Sequence, residues 1–351
     1  MCGARCCASW RRWPAASAPA GRSEGGMNAE ESLITPELLA LVGRETPPHE
    51  VAVTPETVRR VRETVADPDP RWRGDVAPPY VLLAFETAIP APELPHLPES
   101  LVTGDEWTLH RSLRIGERLH MSGRLVAVHE RFGGRFGHTL ALRATWTLTD
   151  AGGTTVAEMG QSMIRYRTPA LTPSPSPASG RGVPVGRGEG SLGPGVRASP
   201  AEGEGGPTER WPTAPLVPME GAPLPEAVLR PTLDQVVRYC GLTWNFVPIF
   251  YDPAAAHRAG LPGTIVPGPL KLALLTRYLL ALAGPGGAVR AVRCVHRRPD
   301  RTGAPLIVRG TVTRVAESDG RRLIDCELWT ETLTGERSVT GFATIAAGSG
   351  S

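Results

Sequence analysis

The sequence predicts an α+β fold made of two helix-wrapped antiparallel sheets that are related by internal duplication. The same order of elements, a short helix, a Pro-containing irregular stretch, a Pro-rich loop and alternating strands, occurs twice. Turn sequences such as "DAGG" and "SDG" separate the alternating runs, which is typical of hairpins. A run over Gly268–Ala283 is apolar on nearly all sides, so a sheet must enclose this helix rather than cover one face.

The first unit is predicted over residues 46–167. Its helix begins after Thr54, a residue type that caps helices, with Pro55 at the first helical position. The segment that corresponds to the apolar helix, "YVLLAFETAIP", stops early at Pro90. A shortened helix leaves room beside the sheet, and we expect that room to be able to hold a long ligand.

The second unit is predicted over residues 226–347. It begins with the helix in "LRPTLDQVVRYCGLTWNFVPIFYD", continues through "GTIVPGPLKLALL" and ends in four alternating strands. The two units are of similar length, and we expect their sheets to pair with each other. Such pairing would make one continuous antiparallel surface and would protect two strand edges.

Two segments outside the units are predicted to be disordered. Residues 1–45 form an N-terminal extension, within which Met27 is a plausible start of the protein. Residues 168–225 are rich in Pro, Gly, Ser and Arg, a composition that cannot bury enough apolar surface to offset the cost of chain ordering.

Charge and cysteine content narrow the function classes. The net charge of +3 lies entirely in residues 1–26, so the body is close to neutral and a broad nucleic-acid surface is not expected. The six cysteines form neither a disulfide framework nor a metal-ligand pattern, which favours a reduced, cytoplasmic protein without a metal or other cofactor. The longest apolar run is too short and too charged for a membrane span.

A family resemblance rests on "RYCGLTWNFVPIFYDPAAAHRAGLPGTIVPGPLKLALL" and on the strand phrases "RLVAVHERFGGRFGHTLALRATWTLTDAGG" and "VRGTVTRVAESDGRRLIDCELWTE". These stretches resemble the MaoC-like dehydratase/hydratase family with a double hotdog fold, in the branch similar to the dehydratase part of type I fatty-acid synthase. The resemblance implies (R)-specific hydration of trans-2-enoyl thioesters, or the reverse dehydration. An aspartate and a histidine carry that chemistry in the family, and a helix N-terminus polarises the thioester carbonyl.

The chain departs from the family at the positions of this dyad. Asn245 stands where the family has aspartate, and Phe250 stands where it has histidine. The resemblance places substrate contacts at Val247, Pro267 and Gly268, with Pro267 replacing the histidine of a His-Gly pair.

Nearby residues offer weak substitutes for the dyad. Tyr251 and His257 are the alternates for proton transfer, although packing and surface roles are favoured for them. Asp252, which precedes Pro253, is predicted to cap a helix, and Asp67 and Asp69 are assigned to turns. The histidines at 110, 120, 129 and 138 are assigned to strand surfaces.

Three hypotheses follow from this pattern. The chain is a hydratase or dehydratase by ancestry and substrate class; or it binds acyl-CoA or acyl-carrier-protein thioesters without hydrating them; or, less favoured, it is a hotdog thioesterase. In the second case its partner would be a dyad-bearing hotdog subunit or a second copy of the chain. Phe250 favours the second hypothesis for the chemistry, because a phenyl ring cannot transfer a proton, and hydration of crotonyl-CoA is expected near background.

Overall fold

The structure, a computed structural model, describes residues 32–85, 89–90, 97–133, 136–167, 207–318 and 320–348. The predicted shortened helix of the first unit is a 3-10 segment, Pro79–Ala84. The other helices and strands of this unit are α1 Pro36–Leu41, β1 His49–Ala52, α2 Pro55–Thr64, β2 Glu99–Leu109, β3 Arg118–Arg131, β4 Thr139–Thr149 and β5 Thr155–Tyr166.

The second unit repeats this order with a full-length central helix. Its elements are β6 Ala227–Leu229, α3 Leu233–Thr243, α4 Pro253–Arg258, α5 Gly268–Ala283, β7 Ala288–His296, β8 Leu306–Ser318, β9 Arg321–Glu331 and β10 Arg337–Ala346. Helix α5 has the predicted bounds, and helix α2 is capped by Thr54, whose side chain accepts a hydrogen bond from the Thr57 backbone N–H.

All ten strands form one antiparallel sheet in the order β1-β3-β4-β5-β2-β7-β10-β9-β8-β6. The two halves of this order are mirror-equivalent, as duplication requires. Strands β2 and β7 join the units, with Gly104 opposite Val295 and Asp105 opposite Cys294. The predicted pairing of the two sheets is therefore confirmed, and the site described below lies at this joint.

Helix α5 fills the concave side of the sheet. Twelve of its residues are buried, and a single apolar cluster contains residues from both units together with this helix. The helix is also tied to the first unit by Arg277, whose guanidinium donates to the Val65 carbonyl at 2.9 Å. Helix α5 also packs against β2 and β7, and its first residue, Gly268, lies against His296 of β7 and Asp105 of β2.

Each predicted unit is preceded by a folded segment that the prediction placed outside it. In the predicted N-terminal extension, Thr35 caps α1, and Leu38 is fully buried against Leu125 and Leu140. In the predicted linker, Leu216 is buried and its backbone N–H donates to the Leu282 carbonyl. The disorder prediction was therefore too long for residues 32–45 and 207–225, because a few large apolar side chains bind these segments to the core. Its remainder, residues 1–31 and 168–206, lies outside the described residues.

The cysteines at 240, 294 and 326 are buried free thiols. Within the described ranges, no helix has both the length and the apolar character needed to cross a membrane.

Candidate functional site

The loop between α3 and α4 contains the positions at which the family dyad was expected. Helix α3 ends at Trp244, which adopts a left-handed backbone conformation with φ of 55° and turns the chain sharply. The Trp244 side chain is 82% exposed and makes an edge contact with Phe246. The outer side of this loop is therefore an exposed aromatic rim.

The inner side of the loop holds Asn245 and Phe250, both partly buried. The Phe250 ring packs against the main core and meets the buried Tyr239 ring edge-on, with centroids 6.4 Å apart. Burial raises the pKa of Tyr239, the Asp105 charge adds to the rise, and the Asn245 side chain offsets part of it. Tyr239 thus contacts Phe250 with its ring, and its hydroxyl lies close enough to Asn245 and Asp105 for both side chains to affect its pKa.

Helix α5 begins beside this loop. By the resemblance described above, its cap residue and first residue correspond to the His-Gly pair of the family. The first turn of any helix presents backbone N–H groups without intrahelical partners, here those of Gly268 and Leu270. Pro267 precedes them as the cap residue and is buried. A carbonyl oxygen at this end of the helix would be polarised by these N–H groups and by the helix dipole.

A buried polar pair lies directly under Gly268. His296 Nε2 and Asp105 Oδ2 are 2.8 Å apart, and their side chains are only 6% and 5% exposed. A methyl group on Gly268 would come within 2.7 Å of the His296 ring, so glycine is required for the helix to approach the pair this closely. On the other side, Gln161 Nε2 donates to Asp105 Oδ1 at 3.0 Å.

A second buried pair supports the same end of α5. Lys271 Nζ donates to Asp300 Oδ2 at 2.8 Å and to the Arg298 carbonyl at 3.3 Å.

Burial lowers the pKa of His296, Asp105 opposes this effect, and the nearby Lys271 charge lowers the pKa further. Burial therefore favours the neutral form of the His296 imidazole.

A pocket of about 320 Å³ lies beyond the end of the shortened 3-10 segment. Its wall includes Leu242, three residues before Asn245, and its rim carries Glu56 and Arg60. The lining residues are Val51, Ala52, Glu56, Thr57, Arg60, Ala84, Phe85 and Leu242. The pocket adjoins the end of the shortened segment without being lined by β2–β5, and its volume is within the range of small-molecule sites.

The alternates for proton transfer lie at the surface. The Tyr251 hydroxyl donates to the Phe246 carbonyl at 3.2 Å, and His257 is exposed on α4. Asp252 caps α4 by accepting from the Ala254 N–H, as predicted. Asp67 accepts from the Asp69 N–H as its turn assignment requires, but it is also buried against Tyr80 and Trp72, which the sequence did not indicate.

Comparison with known proteins shows what parts of this chain are similar to. Residues 40–159, about a third of the chain, match the family model described as FAS1-like, dehydratase domain region. This stretch is similar to the dehydratase region of FAS1-like proteins. The predicted resemblance to MaoC-like dehydratases is thereby confirmed, although the family model matches the first unit and the motif that suggested it lies in the second. The comparison with curated proteins finds no match.

Several solved structures have the same fold over most of this chain. One is described as a MaoC-like dehydratase, with 20% identity, a TM-score of 0.61, and coverage of 89% of this chain and 99% of that one. A MaoC domain protein dehydratase from Chloroflexus aurantiacus has 13% identity, a TM-score of 0.57, and coverage of 87% and 95%. A Mycobacterium tuberculosis protein described as a double hotdog fold has 16% identity, a TM-score of 0.53, and coverage of 89% and 98%. The double hotdog prediction is confirmed.

Sequence reasoning missed the buried pair of Asp105 and His296. Each lies within a strand, and nothing in their local spacing connects residues that are 191 positions apart. The available signal was the duplication, which predicts that β2 and β7 adjoin. The register that brings these two side chains together could not be obtained from it.

Proposed function

We propose that this chain binds 3-hydroxyacyl and trans-2-enoyl thioesters at the start of α5, in the hydratase/dehydratase class of its family. The thioester carbonyl would accept hydrogen bonds from the backbone N–H groups of the first turn, at Gly268 and Leu270. The acyl chain would extend toward the pocket beside Leu242, and Val247 and Pro267 would border the thioester.

The observation that carries this proposal is the close approach of Gly268 to the pair of His296 and Asp105. Burying a carboxylate and an imidazole in a sheet joint is costly unless they are paired and hydrogen-bonded, as His296, Asp105 and Gln161 are here. Here they lie under a helix N-terminus, which favours a polarised carbonyl, at the end of the element that the family uses for thioester binding.

A second candidate function is supported by Asn245 and Phe250. An amide is not a base near pH 7, and a phenyl ring makes its wall of the site apolar. On this alternative the same site binds thioesters without turnover, and the chain serves as an acyl-CoA-binding protein or as the partner of a dyad-bearing hotdog subunit. Both candidates require binding, so binding is tested first.

The test is calorimetric titration of the purified full chain with crotonyl-CoA and with a longer trans-2-enoyl-CoA. We expect saturable binding that Gly268→Ala weakens at least tenfold, because the added methyl group displaces His296 or the helix start. Gly74→Ala is the matched control, since a methyl group there meets only the Arg71 carbonyl at 3.8 Å. Absence of binding, or equal binding by both variants, would contradict the proposal.

A further inference from the structure

The outer face of helix α3 and of the loop that follows it carries a concentration of exposed apolar side chains. Five of the large apolar residues that are exposed lie on this short part of the chain, namely Leu233, Val237, Trp244, Phe246 and Tyr251. We call these five residues the α3 patch. Apolar side chains that are exposed singly need no explanation, but a group of them on one face marks a surface that another molecule covers.

The helical part of the α3 patch follows one side of α3. Leu233 and Val237 are four residues apart and are therefore neighbours on the helix surface. Gly241 follows at the same spacing, is exposed, and would meet no atom of the chain within 4 Å if a methyl group were added to it. Gln235 and Tyr239, which are buried, lie on the opposite side of the helix. The described part of the chain therefore leaves the Leu233 side of α3 uncovered.

A carboxylate and a guanidinium flank the α3 patch on the side that faces α2. Arg238 Nε donates to Asp234 Oδ2 at 2.7 Å, and Arg238 Nη1 donates to Glu63 Oε2 at 3.4 Å. The side chains of Asp234 and Arg238 are 68% and 45% exposed. Within the described residues, Asp234 Oδ1 and Arg238 Nη2 make no further hydrogen bond. Each α3 helix thus presents one open acceptor and, one turn later, one open donor.

This order of charges is complementary to itself in one geometry. When two copies of a helix pack antiparallel about a two-fold axis, both use the same surface and the order of residues is reversed in the second copy. Asp234 of each copy then faces Arg238 of the other, and the apolar side chains of the two stripes pack together. A parallel arrangement would place like charges opposite each other, which is unfavourable. The net charge of +3 lies in residues 1–26, so the body adds little long-range repulsion between copies.

We propose that two copies of this chain associate through the α3 patch, with their α3 helices antiparallel and Asp234 of each copy paired with Arg238 of the other. Trp244 lies just beyond the C-terminal end of α3, so it extends the contact at both ends of the helix pair. Helix α3 has 11 residues, which makes the contact small, of the class that buries less than about 1,200 Å². Such a dimer dissociates in the micromolar range. The proposal is independent of the proposed thioester site.

The first experiment is sedimentation velocity of the purified full chain between about 1 and 100 µM, a range that brackets micromolar dissociation. We expect the mass to rise from one chain to two across this range. Val237→Glu places a carboxylate in the apolar stripe of both copies and should raise the dissociation constant at least about tenfold. Leu333→Glu is the control, because Leu333 is 53% exposed in the turn between β9 and β10, outside the α3 patch.

Charge reversal tests the antiparallel geometry and does not depend on the valine variant. Asp234→Arg alone and Arg238→Asp alone each place like charges opposite across the two-fold axis, so each variant should remain monomeric. An equal mixture of the two variants restores both opposite-charge pairs and should sediment as a dimer. A monomer at every concentration of the unmodified chain would overturn the proposal. A dimer that Val237→Glu and both charge variants leave intact, or a mixture that fails to associate, would overturn it as well.

Discussion

The buried pair of Lys271 and Asp300 offers the sharpest prediction about how the start of α5 is held. Their side chains are 4% and 1% exposed. Lys271 Nζ donates hydrogen bonds to Asp300 Oδ2 and to the Arg298 carbonyl, which both lie on the segment that follows β7. Lys271→Met removes the cation and leaves Asp300 as a buried, unpaired charge. Removing one partner of a buried pair typically costs about 3–5 kcal/mol.

The measurement is urea denaturation of the full chain at pH 7. A loss of about 4 kcal/mol, with an m-value of about 3 kcal/mol per molar, lowers the unfolding midpoint by about 1.3 M. Arg114→Met is the control, because Arg114 and Asp75 form an ion pair whose side chains are 66% and 70% exposed. Exposed pairs contribute about 0–1 kcal/mol, so the control midpoint should move little.

The double variant Lys271→Met with Asp300→Leu distinguishes lost packing from an unpaired charge. If the charge is the cause, removing Asp300 as well should restore most of the lost stability, since a buried pair replaced by apolar residues is often neutral. A loss for Lys271→Met no larger than that for Arg114→Met would refute the reasoning. Equal losses for the single and double variants would refute it also.

Three further predictions concern the dyad positions, pH and assembly. Asn245→Asp with Phe250→His should raise crotonyl-CoA hydration above that of the unmodified chain, whereas Asn245→Asp with Phe250→Leu should not; equal rates for the two double variants would contradict this. The pKa of His296 is lowered in the folded chain, so at acidic pH the unfolded chain binds a proton that the folded chain does not. The free energy of unfolding should therefore fall as the pH drops below about 6.5. Urea denaturation over a series of pH values should show a smaller fall for His296→Gln than for the unmodified chain. The isolated segment 207–348 should self-associate or precipitate on gel filtration, because the β7 edge that pairs with β2 is then open; a soluble monomer would contradict the shared sheet.

Much of the fold could be predicted because it depends on local signals. Thr54 and Pro55 mark the start of α2, and the nearly continuous apolar run marks α5 to the residue. The extent of order in residues 32–45 and 207–225 could not be predicted from composition. It depends on single anchors such as Leu38 and Leu216, whose burial is decided by the tertiary contacts that receive them.

The candidate site was predicted only in part, for a different physical reason. The loop with Asn245 and Phe250 and the glycine at the start of α5 are contiguous in sequence and follow a motif. Asp105 and His296 meet only because β2 pairs with β7 in one register. A shift of one residue would turn Asp105 to the opposite face of the sheet, so this pair is a property of the tertiary structure.

Amide hydrogen exchange with and without crotonyl-CoA tests the central claim most directly, because it locates the ligand without relying on turnover. The account predicts slower exchange in peptides covering 239–252 and the first turn of α5 at 266–272, with smaller effects in β2 and β7. Exposed strand residues of β8 and β9, far from the joint between the units, should exchange at unchanged rates. Saturating crotonyl-CoA that leaves the start of α5 unprotected, or that protects only residues away from it, would contradict the proposed thioester site.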